Sequence, residues 1–306
     1  MQSIRGMLLP VPTVFEEDGR IDEKLMHELV DYYIAAGVNG LFIGGSFGQG
    51  PAMSIDERKQ LADIILPRAS KKIPVVVHAG TADPFTSIDI GKHALKAGAS
   101  ALAFVGPYYY SDHSPDEVRE HFRMIGRELK APMMLYNNPK YQGYPISAHL
   151  MKQMRDDSPQ IFAAKLAMGT VDEARIYLRM LGEGFTLFSL ASNLFPGMTV
   201  GISGTVSPPL AMFPELGVEL VRAIDTKDYA RALEMQQAVI EFHSSFLMPQ
   251  VLKDCGRSIY RYGLKELGFN VKRYPRWPAG DMSADHQKWL SETYARARSV
   301  LMKKAA

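Results

Sequence analysis

The chain has 306 residues, of which 46% are hydrophobic and 22% are charged, and these proportions exclude disordered, collagen-like and coiled-coil proteins. Its 35 Lys and Arg against 33 Asp and Glu give a formal charge of +2, so no global field would recruit nucleic acid or anionic lipid. The single cysteine, Cys255, excludes an internal disulfide framework and a multi-cysteine zinc site. Because the first residues also lack an apolar signal-peptide core, and no run of eighteen apolar residues occurs, we expect a cytoplasmic protein.

Eight short apolar runs recur along the chain, and a loop and then a stretch with helical periodicity follow each of them. The runs are apolar throughout rather than alternating, which is typical of strands buried on both faces of a parallel sheet. They cover residues 7–14, 40–44, 74–78, 101–104, 132–136, 161–165, 185–189 and 199–203.

Capping residues mark the starts of several intervening helices. Asp22 precedes an apolar helical face, and Ser54 with Glu57 and Ser114 with Glu117 match the capping box. Most strand starts are about thirty residues apart, which is the length of a βα unit. Between the seventh and eighth runs only about ten residues remain, so we expect at most a short helix there.

Eight βα units predict a (β/α)₈, or TIM, barrel, and the main alternative is a doubly wound open sheet with a second domain. We favour the α/β barrel because no linker interrupts the series. The last part of the chain has purely helical patterns, at 229–246, 250–267 and 284–302. The sequence thus predicts a barrel over residues 1–225 that carries the active site, and a C-terminal three-helix extension over residues 226–306.

In a barrel of this kind the active site lies at the carboxyl ends of the strands. Lys165 ends the sixth run, and desolvation there favours the neutral amine that attacks carbonyl carbons. Tyr136 ends the fifth run, so we expect it beside Lys165, where a phenol can shuttle protons. The alternatives are a lysine that extends to water and a tyrosine bonded to a backbone carbonyl.

The loop after the second run is rich in glycine. Residues 44–50 read Gly-Gly-Ser-Phe-Gly-Gln-Gly, so successive N–H groups and the Ser46 hydroxyl can face one anion. The order of the glycines is the reverse of the dinucleotide motif, and the lysine of a P-loop is missing. A small carboxylate therefore fits better than a nucleotide, and a simple tight turn is the alternative.

Other chemistries find little support in the sequence. The eight histidines form no paired metal-binding motif, and no nucleophilic-serine elbow is present. The tyrosine run at 108–110 and the basic stretch at 272–276 are too short to outweigh the balanced charge. We predict no cofactor, no metal, and no nucleic-acid or membrane partner.

The strand ends resemble, in order and spacing and over nearly the whole chain, the dihydrodipicolinate synthase/N-acetylneuraminate lyase superfamily of class I, Schiff-base-forming aldolases. The matching motifs are Gly45-Ser46-Phe47-Gly48-Gln49, Met53-Ser54, Glu57-Arg58, Pro107-Tyr108-Tyr109, Tyr136-Asn137-Asn138-Pro139, Lys165 and Gly201-Ile202-Ser203.

This resemblance implies a role for each matching residue. Lys165 would form the imine with the C2 carbonyl of pyruvate or another 2-oxo acid, and Tyr136 would be the acid/base. Ser46 would hold the substrate carboxylate and complete a proton relay that Tyr109 joins, in many members from a neighbouring subunit. Ile202 would shape the wall near the ketoacid through its backbone. The resemblance also implies a homotetramer, commonly a dimer of dimers.

Departures from the family pattern bear on the substrate, and Phe47, Gly48 and Tyr141 complete the predicted substrate-binding set. Phe47 replaces a threonine, so an aromatic wall takes the place of a hydroxyl, and Gln49 replaces a glutamate. Tyr141 stands where the synthase branch has an arginine for the second substrate's carboxylate, which counts against lysine biosynthesis. Phe47 together with Tyr136-x-Asn138-Pro139 and Ala163-Ala164-Lys165 resembles the hydratase-aldolases that cleave arylidene-pyruvates. The Gly48-x-Gly50-Pro51 pattern instead resembles 2-keto-3-deoxygluconate aldolases.

The sequence therefore predicts a lyase that cleaves or forms a carbon–carbon bond between pyruvate, or a related 2-oxo acid, and an aldehyde. The alternatives are dihydrodipicolinate synthase, which joins pyruvate to aspartate semialdehyde, and a 2-keto-3-deoxy sugar acid dehydratase. A barrel that binds ketoacids without turnover is a further alternative. The aldehyde and the reaction direction stay open.

Overall fold

A computed structural model describes residues 4–167 and 170–303, in which eight parallel strands pair in chain order and close into a barrel. The strands are β1 Gly6–Pro10, β2 Gly40–Ile43, β3 Val75–His78, β4 Ala101–Val105, β5 Met133–Asn137, β6 Ile161–Leu166, β7 Thr186–Ser189 and β8 Gly204–Thr205. Because β1 pairs with both β2 and β8, the sheet has no edge. The predicted barrel is confirmed, and the open sheet is excluded.

Helices connect the strands and continue beyond the barrel. Those up to the last strand are α1 Glu23–Ala35, α2 Ile55–Ala69, α3 Pro84–Lys96, α4 Pro115–Leu129, α5 Pro139–Gln142, α6 Ala148–Asp157, α7 Val171–Leu181 and α8 Leu194–Thr199. The remaining ones are α9 Pro214–Asp225, α10 Tyr229–Ser245, α11 Pro249–Cys255, α12 Ile259–Glu266 and α13 Ala284–Met302. Both predicted capping boxes are formed, at the starts of α2 and α4.

The eighth strand does not lie where the sequence predicted it. Residues 199–203 include the end of α8 and a turn closed by Gly197, whose carbonyl accepts from the N–H of Ile202. The strand itself pairs Gly204 with Gly6, and a Cβ on Gly204 would come within 1.8 Å of the Gly6 carbonyl oxygen. Such close backbone contact admits only glycine, and this fixes the start of β8 after the apolar run rather than within it.

The barrel interior is a packed core. Alternate strand residues point inward and form one cluster, which consists of Ile4, Leu8, Phe42, Val76, Ala101, Ala103, Met134, Ala163, Phe188 and Val206. A larger cluster lies between the strands and the surrounding helices. The interior is thus filled by side chains, and a substrate reaches the barrel only at its rim. No helix within residues 4–167 and 170–303 is long and apolar enough to cross a membrane.

The C-terminal part contacts the rim loops directly. The predicted helix over 250–267 is divided into α11 and α12 at Gly256, which has φ +54°. After α12 the chain returns to the barrel, where the hydroxyl of Tyr274 donates to the carbonyl of Phe47 over 2.9 Å. The division into a barrel domain that ends at residue 225 and a helical extension that begins at residue 226 stays a prediction. The outermost residues of these two predicted domains, 1–3 and 304–306, lie outside the described residues.

Candidate active site

Two buried polar residues lie side by side at the carboxyl ends of neighbouring strands. Tyr136 on β5 and Lys165 on β6 are direct partners in the parallel ladder, so their side chains leave the barrel wall together. Their exposed fractions are 3% and 5%. The Lys165 Nζ atom lies 4.4 Å from the centroid of the Tyr136 ring. Tyr136 and Lys165 are therefore neighbours, as the sequence predicted.

Two further polar groups hydrogen-bond the phenol of Tyr136. Its oxygen lies 3.1 Å from the Ser46 Oγ atom, and the side-chain amide of Asn138 donates to it over 2.9 Å. Ser46 belongs to the glycine-rich loop after β2, and Asn138 follows β5 and caps α5. The loops after two different strands thus meet at one hydroxyl group.

The surroundings of this phenol make it a stronger acid. Burial raises the pKa of Tyr136, but the Lys165 ammonium and the hydrogen bonds from Ser46, Asn138 and Lys165 outweigh burial and lower that pKa overall. No carboxylate in the described residues forms an ion pair with Lys165. The site is consequently positive and suited to an anionic ligand.

His78, at the end of β3, is fully enclosed beside Tyr136. Its Nε2 atom accepts from the backbone N–H of Val105 over 3.2 Å. Burial, and then the charges of Arg58 and Lys165, lower the pKa of His78 well below its ordinary value, so the imidazole is neutral. This histidine packs the rim. Within the described residues no three His, Cys, Asp or Glu side chains form a group that could hold a metal.

Two adjoining cavities open above the strand ends. The first, which we call the aromatic cavity, has a volume of about 330 Å³, and its wall includes Tyr108 and Trp277. The second, the lysine cavity, has about 260 Å³ and contains Lys165. Four residues line both cavities, namely Ser46, Tyr136, Tyr141 and Arg257. A substrate bound at Lys165 therefore has room to extend past these four residues.

The other residues of the glycine-rich loop face different surroundings. The Phe47 ring borders the lysine cavity and packs against Tyr260 and Tyr274, with centroids 4.8 and 5.8 Å apart. Gly48 lines neither cavity, because it lies against Val11, whose carbonyl would be 2.9 Å from an added Cβ. Phe47 is thus both a packing residue and part of the wall, whereas Gly48 supports the loop.

Ile202 lines neither cavity, and its predicted part in the wall near the ketoacid stays a prediction. It precedes β8, and its side chain approaches Gly197. Val206, just after β8, is the residue that joins the inner cluster.

Within one chain, the side chain of Tyr109 lies apart from the other candidate site residues. Its side chain is 85% exposed, lines neither cavity and contacts the ring of Tyr110. Its φ of +84° is strained for a residue with a side chain. A part for Tyr109 in the proton relay stays a prediction.

Sequence reasoning missed the residues that the C-terminal part adds to the cavities. Arg257 donates to the Tyr141 hydroxyl over 2.7 Å and to the Ser46 carbonyl over 3.4 Å, and Trp277 and His243 line the walls. Arg257 lies 116 residues from Tyr141 and 211 residues from Ser46. No motif marks these residues, and contacts over such separations leave no local signal in the sequence.

Comparison with known proteins agrees with this geometry. The model of the dihydrodipicolinate synthetase family matches residues 3–297. A 4-hydroxy-tetrahydrodipicolinate synthase of Mesorhizobium japonicum is 30% identical over 278 residues, which are 89% of this chain and 92% of the relative. The putative 2-dehydro-3-deoxy-D-gluconate aldolase YagE of Escherichia coli K12 is 27% identical over 266 residues, or 83% and 88% of the two chains.

Solved structures share the fold. The structure of YagE from E. coli K12 in complex with pyruvate matches with a TM-score of 0.89 and 24% identity, and covers 96% of this chain and 98% of that chain. The 4-hydroxy-tetrahydrodipicolinate synthase of Methylacidiphilum fumariolicum SolV matches with a TM-score of 0.85, 24% identity and 97% coverage of each chain. At this identity the likeness concerns the fold alone.

Proposed function

The chain belongs to the dihydrodipicolinate synthetase family of aldolases and lyases, and on that premise we propose that Lys165 forms an imine with pyruvate or a related 2-oxo acid. The observation that carries the proposal is the lysine beside a buried tyrosine, since the Lys165 Nζ atom lies 4.4 Å from the Tyr136 ring centroid. An amine in a desolvated pocket next to a hydroxyl acid/base is the arrangement that carbonyl attack requires.

The substrate carboxylate would bind at the loop after β2. The Ser46 hydroxyl is available there, and the N–H groups of Ser46 and Phe47 donate to no acceptor among the described residues. Free backbone N–H groups in a tight turn attract anions. Lys165 adds positive charge in the same cavity, so a 2-oxo acid would lie with its carboxylate near Ser46 and its carbonyl near Lys165.

Tyr136 would move the protons of the reaction. Once the Lys165 ammonium has lost a proton to solvent, the neutral amine attacks C2, and the Tyr136 phenol donates the proton that lets water leave the carbinolamine. In the cleavage direction the phenolate then accepts the proton of the substrate hydroxyl, the carbon–carbon bond breaks, and an aldehyde and an enamine of pyruvate form. Protonation of the enamine and hydrolysis of the imine release pyruvate and regenerate Lys165.

Borohydride trapping tests this proposal directly. Incubation with pyruvate and borohydride should add the mass of one reduced pyruvyl group, and peptide mapping should place it on Lys165. The Lys140→Ala variant is the matched control, because Lys140 lies at the rim of the same cavity and should not carry the adduct. If neither pyruvate nor any longer 2-oxo acid labels Lys165, the proposal is wrong.

The synthase is the second candidate, and one observation favours it. Tyr141, where an arginine was missing in the sequence, accepts a hydrogen bond from Arg257, so a guanidinium is present at this place after all. Coupled assays distinguish the candidates by product, since they report pyruvate release, loss of water from a sugar acid, or condensation of pyruvate with aspartate semialdehyde. Ketoacid binding without trapping would instead indicate a barrel that has lost turnover.

A homotetramer and a cytoplasmic location are also proposals. Tyr109 and Tyr110 expose 85% and 63% of their surface next to the site, and such adjacent aromatic residues suit burial against a second subunit. Sedimentation should then give four times the chain mass of 34.1 kDa. The single cysteine, which is buried, is compatible with a reducing compartment.

Removing the hydrogen bond from Asn138 should make Tyr136 a weaker acid. In the Asn138→Ala variant we expect a higher pKa of Tyr136, because the amide that stabilises the phenolate is lost. The limb of the pH–rate profile that depends on the phenolate should move to higher pH, with kcat reduced about tenfold. Spectrophotometric titration of the tyrosinate and the pH–rate profile measure both effects. Asn138→Asp should shift the Tyr136 pKa and this limb of the pH–rate profile further. Variant profiles that coincide with the wild-type profile would exclude an effect of Asn138 on the acidity of Tyr136.

Replacing Phe47 tests whether its ring selects the aldehyde. Phe47→Thr should shift kcat/KM from aryl toward polyhydroxy ketoacids, since hydroxyls buried against a ring lose about 1–3 kcal/mol for each unpaired group. The variant should also lose about 3 kcal/mol of stability, because the ring packs on Tyr260 and Tyr274. Phe47→Leu keeps an apolar wall and is the control. Equal losses with both substrate types would leave Phe47 a packing residue only.

A further inference from the structure

Arg257 has no acidic partner, unlike three other arginines of the C-terminal part. Arg231 pairs with Glu219 and Glu234, Arg261 pairs with Asp281, and Arg276 pairs with Glu57. For Arg257 no carboxylate of the described residues lies within ion-pair distance, and its hydrogen-bond acceptors are the Tyr141 hydroxyl and the Ser46 carbonyl.

The guanidinium of Arg257 is half-buried and firmly placed. It follows α11 and lies 5.7 Å from the ring centroid of Trp277. The two hydrogen bonds use two of the five N–H donors that an arginine carries. A partly desolvated cation without a counter-ion is unfavourable in a folded protein, and a ligand anion relieves that cost.

The position of Arg257 puts its positive charge beside the path that the substrate would take. Arg257 and Tyr141 line both the aromatic cavity and the lysine cavity, so they stand where a ligand attached to Lys165 would pass from one to the other. Arg58 is likewise without a carboxylate partner, but it is only 5% exposed, it lines neither cavity, and its two Nη atoms donate to the carbonyls of His78 and Gly80. Among the described residues that line the aromatic cavity, Arg257 is the cation that a ligand can reach.

Resting on the proposed imine at Lys165, we propose that Arg257 binds an anionic group on the part of the substrate that lies beyond the reacting carbons. The protein would thus select 2-oxo acids, or aldehydes in the reverse direction, that carry a carboxylate or comparable anion at the far end. Tyr141 acts as a positioning residue, since its hydroxyl accepts from one Nη atom, and three N–H donors of Arg257 have no acceptor among the described residues.

Trapping with matched pairs of 2-oxo acids tests this selectivity. The probes are 2-oxoglutarate, 2-oxoadipate and 2-oxopimelate, each beside the unbranched 2-oxo acid of similar length with a methyl group in place of the distal carboxylate. The measured quantity is the efficiency of borohydride trapping at Lys165 for each acid, relative to pyruvate. The wild-type protein should prefer the acidic member of at least one pair by about tenfold to a hundredfold.

The Arg257→Gln variant should lose that preference while a pyruvate adduct still forms. Arg257→Lys should keep part of it, because the charge remains but the planar fork is lost. Arg261→Gln is the matched control, since it removes a positive charge one helical turn away that is paired with Asp281 and lines neither cavity. It should preserve the wild-type preference.

The outcomes separate this inference from the proposed function. If pyruvate labels Lys165 but the wild-type protein prefers no acidic member, or Arg257→Gln keeps the wild-type ratio, the role of Arg257 is wrong and the imine stands. If pyruvate does not label Lys165 in the wild-type protein, both proposals fall. Circular dichroism checks that each variant is folded, and Arg257→Lys decides the matter should Arg257→Gln fail to fold.

Discussion

The Lys165→Ala variant should lose turnover by a factor on the order of 10⁴ or more, because no other group in the cavities replaces a covalent nucleophile. Pyruvate with borohydride should then add no mass to the protein. The fold should persist, since the substitution removes a buried charge that has no acidic partner in the described residues and that lies over the Phe42 and Tyr136 rings. Steady-state kinetics, mass spectrometry and thermal unfolding measure the three effects.

The Lys140→Ala variant makes the Lys165 result specific. Both lysines line the same cavity, but Lys140 is exposed and follows the strand end, whereas Lys165 emerges from the barrel wall. We expect Lys140→Ala to remain trappable by pyruvate. Turnover near the wild-type rate in Lys165→Ala would mean that another residue, or no covalent step, carries the reaction.

Tyr136→Phe is expected to reduce kcat by about 10²- to 10⁴-fold, the usual contribution of a positioned general acid/base. Slow trapping of pyruvate at Lys165 should persist on long incubation, because the nucleophile is untouched. The variant should also be less stable by about 1–3 kcal/mol, since the amide of Asn138 and the hydroxyl of Ser46 lose their common partner.

A second tyrosine offers a matched control for this loss. The buried hydroxyl of Tyr177 donates to the carbonyl of Ile146 over 2.6 Å and lines neither cavity. Tyr177→Phe should therefore change stability but not turnover. If Tyr136→Phe and Tyr177→Phe have equal, small effects on kcat, Tyr136 is not the acid/base, and Ser46 or a bound water must move the protons.

The glycine-rich loop shows how the C-terminal part completes the site. The carbonyls of Ser46 and Phe47 accept from Arg257 and Tyr274, and the Gln49 side chain accepts from the Arg276 N–H over 2.6 Å. The residues after the barrel thus hold the loop that is proposed to bind the carboxylate. Helical periodicity in the sequence does not show that these residues hold the glycine-rich loop in place.

The sequence by itself determined the barrel and the centre of the candidate site. Buried parallel strands require continuous apolar runs, and the ends of neighbouring strands meet at one rim, so Tyr136 and Lys165 could be placed side by side from their positions in two runs. The loop with Ser46 followed from the same rule, because the carboxyl end of every strand in the barrel faces the same side.

Only the tertiary structure showed where the eighth strand begins and which residues after the barrel complete the cavities. The start of β8 depends on the close approach of Gly204 to Gly6, a contact that no apolar run in the sequence reveals. The hydrogen bond between Tyr274 and Phe47 joins residues that are 227 positions apart, and the one between Arg257 and Ser46 joins residues 211 apart. Periodicity and capping report neighbours within a few turns of chain, whereas these contacts depend on how the completed barrel and the last helices pack together.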